Sequence, residues 1–128
     1  MTEALRTRLA DRLRSIEGIL ESPSMFGSEN GFWCNGTEIA HFDSDDVIDL
    51  RLTKSVIGQP RSALRQDGRI ELRKGSSDRV EVRVASDDDI TFVIELAELA
   101  AAAHRAGSGQ IAKPPPVGAD LERRRRFH

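Results

Sequence analysis

Apolar residues return at steps of three and four near the start of the chain. Leu5, Leu9, Leu13, Ile16 and Ile19/Leu20 alternate with Arg, Asp and Glu. That spacing predicts an amphipathic helix over residues 3–21. Thr2 is placed to cap it. Ser22-Pro23-Ser24 stops it, because proline disfavours helical backbone in the residue before it. The period then shortens to two. Phe32-Trp33-Cys34 is a short strand, and Asn35-Gly36 predicts a tight hairpin because both turn positions must accept positive φ. Thr37 to Phe42 is the next strand, and Asp43-Ser44-Asp45-Asp46 turns the chain again. Val47 to Leu52 alternates Ile48, Leu50 and Leu52 against Asp49 and Arg51.

Thr53 caps a short helix through Ile57, and a further helical turn runs from Pro60 to Arg65. Asp67-Gly68 leads into a strand at Arg69–Lys74, and Gly75-Ser76-Ser77-Asp78 leads into another at Val80–Ala85. Ser86 and three Asp open the last helix at its electropositive end. Ile90, Val93, Ile94, Ala97, Ala100 and Ala101 give it one apolar stripe, and Gly107 ends it. The order is α-β-β-β-α-β-β-α. Short turns force neighbouring strands to be antiparallel. The expected fold is an α+β two-layer sandwich: a five-stranded, mainly antiparallel sheet with its apolar face under the terminal helices. Residues 1–106 form that single domain. Residues 107–128, with Pro114-Pro115-Pro116 and few apolar positions, are expected to be a disordered tail.

The 128 residues suffice for one domain with one modest core, and 38% hydrophobic with 31% charged residues suits a soluble globule. No window supplies the ~20 apolar residues of a membrane span, and no signal core is visible at the N-terminus. A single cysteine forms no internal disulfide, so a cytoplasmic location is expected. Net charge is −2, but after Gly107 five basic residues face two acidic ones. The body therefore carries the acidic excess, and nucleic acid is expected only at Arg123–Arg126.

Catalytic frames are missing. Asp43, Asp45 and Asp46 beside His41 lack the glycine and terminal glutamate of a calcium loop. No paired Cys or HExxH motif offers a metal site. Cys34 and His41 are too far apart along the hairpin to act as a pair. No phosphate-cradling glycine motif is present. No catalytic residue, metal or cofactor is therefore expected. His41 shares the side of Ile39 on a regular strand, so a core-facing Ile39 takes His41 inward. Glu38 faces the other way unless a bulge intervenes. The face opposite the helices presents Asp49, Arg51, Glu71, Arg73, Glu81 and Arg83, whose charges can pair across strands.

Three stretches carry a family resemblance. They are Asn35-Gly36-Thr37-Glu38-Ile39-Ala40-His41-Phe42, then Asp45 to Leu52, then Glu71-Leu72-Arg73 with Gly75-Ser76-Ser77-Asp78. Over about residues 4–106 the chain resembles small bacterial and archaeal luciferase-like domain proteins. The resemblance implies a small single domain. Flavin and adenylating luciferases are far larger, so no luciferase chemistry is expected. A weaker likeness, through Met25-Phe26-Gly27, Ile39-Ala40 and Asp49-Leu50-Arg51-Leu52, is to the N-terminal domain of TfoX competence regulators and to MmcQ/YjbR proteins. Three functions compete. The favoured one is a non-enzymatic interaction module that meets a second copy or a protein partner through the charged face. The second is a small-molecule-binding protein or modest enzyme with a pocket formed by Glu38, His41, Arg51 and Ser77. The third is a TfoX-like regulator touching nucleic acid through its basic end.

Overall fold

The computed structural model describes residues 1–27, 29–52, 70–72 and 78–127, with 71 and 72 described in the backbone alone. Its elements are α1 (Glu3–Arg14), β1 (Ile19–Pro23), β2 (Asn30–Cys34), β3 (Thr37–Ser44), β4 (Val47–Arg51), β5 (Ile70–Leu72), β6 (Arg79–Arg83), α2 (Asp87–His104) and α3 (Gly118–Arg126). The strands form one antiparallel sheet in the order β1-β2-β3-β4-β6-β5. The α+β class and the antiparallel sheet are those the alternation predicted. The expected helical turns at 53–65, half of the expected strand at 69–74, and Ser77 lie outside the described residues.

The first difference is a sixth strand. Helix α1 is capped by Thr2, whose Oγ1 accepts from the Leu5 amide at 3.1 Å, and it buries Leu5, Leu9 and Leu13. It ends at Arg14 rather than near residue 21. Beyond its cap at Ser15, a turn closed by the Ile19 amide on the Ile16 carbonyl redirects the chain, and Gly18 within it takes φ +89°, a left-handed conformation open at little cost only to glycine. Ile19 and Leu20 continue the helical spacing in sequence, yet they belong to β1. Ile19 points into the core and Leu20 outward, as a strand's period of two requires.

The hairpin between β2 and β3 forms as the sequence predicts. Asn35 and Gly36 take φ +51° and +81°, and Cys34 pairs with Thr37. Helix α2 starts at Ser86, whose Oγ accepts from the Asp89 amide, while Asp89 Oδ2 accepts from the Ala85 amide at 2.8 Å. This satisfies two donors at the helix start. The alanines at 97, 100 and 101 let α2 lie close to the sheet. Together α1 and α2 close one face over Ile48, Leu50, Val80, Val82 and Val84.

The second difference is the C-terminal segment. Residues 107–128 were expected to be disordered. Instead an extended stretch leads into α3, which lies across the opposite face of the sheet. The Lys113 amide donates to Asn35 Oδ1 at 2.8 Å, Arg124 Nη1 to the Gly36 carbonyl at 2.9 Å, and Arg125 Nη2 to the Ser24 carbonyl at 2.7 Å. Pro116 and Leu121 are buried. Few apolar residues are needed, because exposed backbone carbonyls of a turn and a loop supply the anchors. Composition alone hides this, since the donors are the arginines that otherwise read as a solubilising run.

Candidate functional site

The face away from α1 and α2 holds the polar residues, and three of them, Glu38, His41 and Asp49, are buried. A bulge makes this possible. Trp33 pairs with Glu38 and Phe32 with Ala40, so β3 holds one residue, Ile39, more than β2 at this point. Beyond it the alternation is inverted. Ile39 and Ala40 both join the apolar core, while Glu38 and His41 lie together on the opposite face. His41 there pairs across strands with Gly31 and Asp49. The expectation that His41 follows Ile39 into the core is thus overturned by the extra residue.

Glu38 is 3% exposed and Asp49 is fully buried. Glu38 Oε1 accepts from the Met25 amide at 2.9 Å. Its other oxygen, Oε2, is buried with no hydrogen-bond partner among the described residues. That oxygen occupies the space above Gly31, where any Cβ would overlap it. A side chain at 31 would displace the Glu38 carboxyl group from this position. Burial raises the Glu38 carboxyl above the usual range. The Ser24 hydroxyl, the Met25 amide and the charge of Arg79 pull it back, and Asp49 adds to the rise.

Arg79 organises the middle of the site. Its Nη1 lies 3.2 Å from Asp49 Oδ1, with the arginine side chain only 11% exposed. Its guanidinium carbon stands 4.4 Å from the centroid of Phe26. The same ring stacks on His41, with centroids 4.7 Å apart and planes 21° from parallel. Phe26 is thus held between an imidazole and a guanidinium. It divides two hollows. One, of about 340 Å³, is lined by Met25, Thr37, Glu38, Arg51, Arg79 and, from the α3 side, Arg124 and Phe127, with Phe26 as a wall. The other, of about 310 Å³, is bordered by Arg6, Glu29, His41, Asp43 and Asp45. Among the described residues no group of His, Cys, Asp and Glu is placed to hold a metal.

Of the residues picked from sequence for a pocket, Glu38 and Arg51 line the same hollow, and His41 lines its neighbour across Phe26. Ser77 lies outside the described residues. The expected interaction face is not one open surface. Asp49 is buried under the cover, Arg51 is paired with Asp78 at 3.0 Å, and Arg83 is exposed near Asp46. Glu81 sits beside Asp49 across the β4–β6 ladder. Glu71 is described only in its backbone, and Arg73 lies outside the described residues. Cys34 is in the core on the helix side, and burial pushes its thiol up, which removes it as a nucleophile.

Sequence reasoning missed Phe26, Gly31, Arg79, Arg124 and Phe127. Arg79 had a readable signal, since it begins the alternation Arg79-Glu81-Arg83 and falls opposite Arg51. Gly31 has no side chain to mark it within β2, and Phe26, Arg124 and Phe127 enter the site through a loop and the C-terminal segment, which carry no strand alternation.

An antiparallel sheet with two helices on one face, and a polar hollow bordered by α3 on the other, defines a small α+β domain. The chain belongs to the Luciferase domain family, whose model matches residues 36–100, about half of its length. That span supplies Glu38, His41, Asp49, Arg51 and Arg79. Phe26, Gly31, Trp33 and α3 fall outside it. No curated protein and no solved structure matches the chain. No helix among the described residues is long and apolar enough to cross a membrane.

Proposed function

We propose that this luciferase-family domain is a binding module for a small organic molecule, held in the hollow between the polar sheet face, Met25–Phe26 and α3. One observation carries the reading. A carboxyl group on the wall of a 340 Å³ hollow is buried with one oxygen lacking a partner among the described residues. An unpaired buried acceptor or donor costs about 1–3 kcal/mol. A fold retains that cost where a ligand later removes it. The hollow's size falls within the usual range for ligand sites, and Met25, Phe26 and Phe127 stand beside five polar residues in its lining.

The covered face also weighs against the interaction reading in its original form, because Asp49 and most of Arg79 are not available to a partner. The test is a fragment screen on ¹⁵N-labelled full-length protein. Fragments that shift the amides of Met25, Phe26, Thr37, Glu38 and Arg79 support a pocket function. A library in which no compound perturbs those amides overturns it.

A further inference from the structure

Resting on that reading of the pocket, we infer that α3 regulates it as a latch: docked, the helix fixes Phe26 as the wall between the two hollows, and its release joins them. Arg125 makes the connection. Its Nη2 donates to the Ser24 carbonyl at 2.7 Å and to the Gly27 carbonyl at 3.3 Å. One guanidinium thus holds both ends of the segment that carries Met25 and Phe26. Glu122, one turn earlier on α3, accepts from Nη1 at 2.8 Å and keeps the fork in place. Within the segment, the Phe26 amide donates to Ser24 Oγ at 3.0 Å, and the Met25 amide to Glu38 Oε1. Phe26 then stands between His41 and Arg79 and borders both hollows.

The helix that supplies Arg125 depends on docking for its own order. It has nine residues, fewer than the roughly 12–15 at which an isolated helix is still marginal in water. Its N-cap, Val117, makes no side-chain hydrogen bond, and Gly118 takes φ +58°. Four consecutive arginines close it, and like charges one turn apart repel. Contact with the body compensates. Leu121 and Pro116 are buried, and Arg124 and Arg125 reach carbonyls outside the helix. Undocking and unfolding of α3 are therefore one event of low cost. When it happens, the Ser24 and Gly27 carbonyls lose their shared donor, and Phe26 is no longer fixed from that side. The shape of the site then follows the state of the C-terminal segment.

The experiment measures amide hydrogen exchange in the full-length parent and its variants. In Arg125→Gln the Met25 and Phe26 amides should exchange about tenfold faster, the factor that one lost charge-assisted hydrogen bond gives. The Ile48 and Leu50 amides of β4 should keep their protection. Glu122→Gln, which frees the guanidinium without removing it, should accelerate the same two amides by less. Arg123→Gln removes an equal charge from an arginine whose partner, Asp120, lies on α3 itself, and it should exchange as the parent does. A fragment that shifts Met25, Thr37 and Glu38 in the parent should in Arg125→Gln also shift His41 and Phe42, across the former wall. Unchanged exchange at Met25 and Phe26 in Arg125→Gln, equal acceleration in β4, or the same acceleration in Arg123→Gln overturns the latch and leaves the pocket reading standing. So does fragment contact that stays on one side of Phe26 in Arg125→Gln. If no fragment shifts the pocket amides in any of these proteins, the pocket reading itself fails and the latch has nothing to regulate.

Discussion

The two faces of the sheet are both buried, by opposite means. Under α1 and α2 the contacts are aliphatic: Leu9, Leu13, Ile48, Leu50 and Val82 have no exposed surface. Such packing is non-directional and tolerates nothing polar. On the other face lie Glu38, His41, Asp49 and Arg79, each held by a particular partner or ring. Asp49 and Leu50 are adjacent on β4 and face these two environments. The first face contributes most of the stability. The second spends part of it, since a buried ion pair gains little net free energy after desolvation. A domain keeps such a face when its chemistry is used.

That contrast can be broken at β4. Leu50→Ala should cost about 2–5 kcal/mol through the cavity it leaves, read by urea denaturation, with the pocket amides unmoved at low denaturant. Asp49→Ala should cost about 3 kcal/mol, the low end for orphaning a buried partner, because Arg79 borders an open hollow. Unlike Leu50→Ala, it should shift the Phe26 and His41 ring resonances. Equal ring shifts in both variants would mean that the two faces are not independent.

Smaller changes sharpen the comparison. Gly31→Ala places a methyl group on Glu38 Oε2. It should cost about 1–3 kcal/mol as overpacking does, and it should abolish fragment binding. Leu121→Ala should cost about 2 kcal/mol at most, given its place at the edge of the fold. It should move the emission of Trp33, the sole tryptophan, to longer wavelength while far-ultraviolet circular dichroism stays constant.

The smallest effect is at Glu38→Gln. The folded state raises the Glu38 carboxyl above its unfolded value, chiefly by burial. What the group contributes to stability is therefore fully present below the unfolded pKa and lost as pH rises through the folded one. Glutamine cannot ionise. The variant should melt higher than the parent at neutral pH, and the gap should close on acidification into the ordinary carboxylate range. A gap independent of pH would show that folding leaves the Glu38 carboxyl at its unfolded value.

The helix-covered face was legible in the sequence because its signal is periodic. Alternation in Val47–Leu52 and Val80–Ala85, the Asn35-Gly36 turn and the Ser86 cap each report a local preference that the fold obeys. Helix α1 shows where periodicity misleads. A run spaced for a helix crosses Gly18, and the glycine's backbone freedom decides the outcome. The polar face was legible only in part. Glu38 and Arg51 stand out as charged residues in strands, but placing Glu38 and His41 together needs the extra residue Ile39, and a bulge leaves no mark in hydropathy. The cover was not legible. Arg124 and Arg125 act through carbonyls of the Ser24–Gly27 loop and the Gly36 turn, long-range contacts that composition does not encode.

The attachment of α3 has a mechanical consequence. It is bound to the sheet by a few hydrogen bonds to a turn and a loop, whereas the six strands hold one another by continuous ladders. Tension applied at the C-terminus therefore peels α3 away first and leaves the sheet standing. The hollow loses Arg124 and Phe127 at that moment, before any strand separates. Whatever pulls on this end of the chain therefore changes the shape of the hollow before it disturbs the sheet.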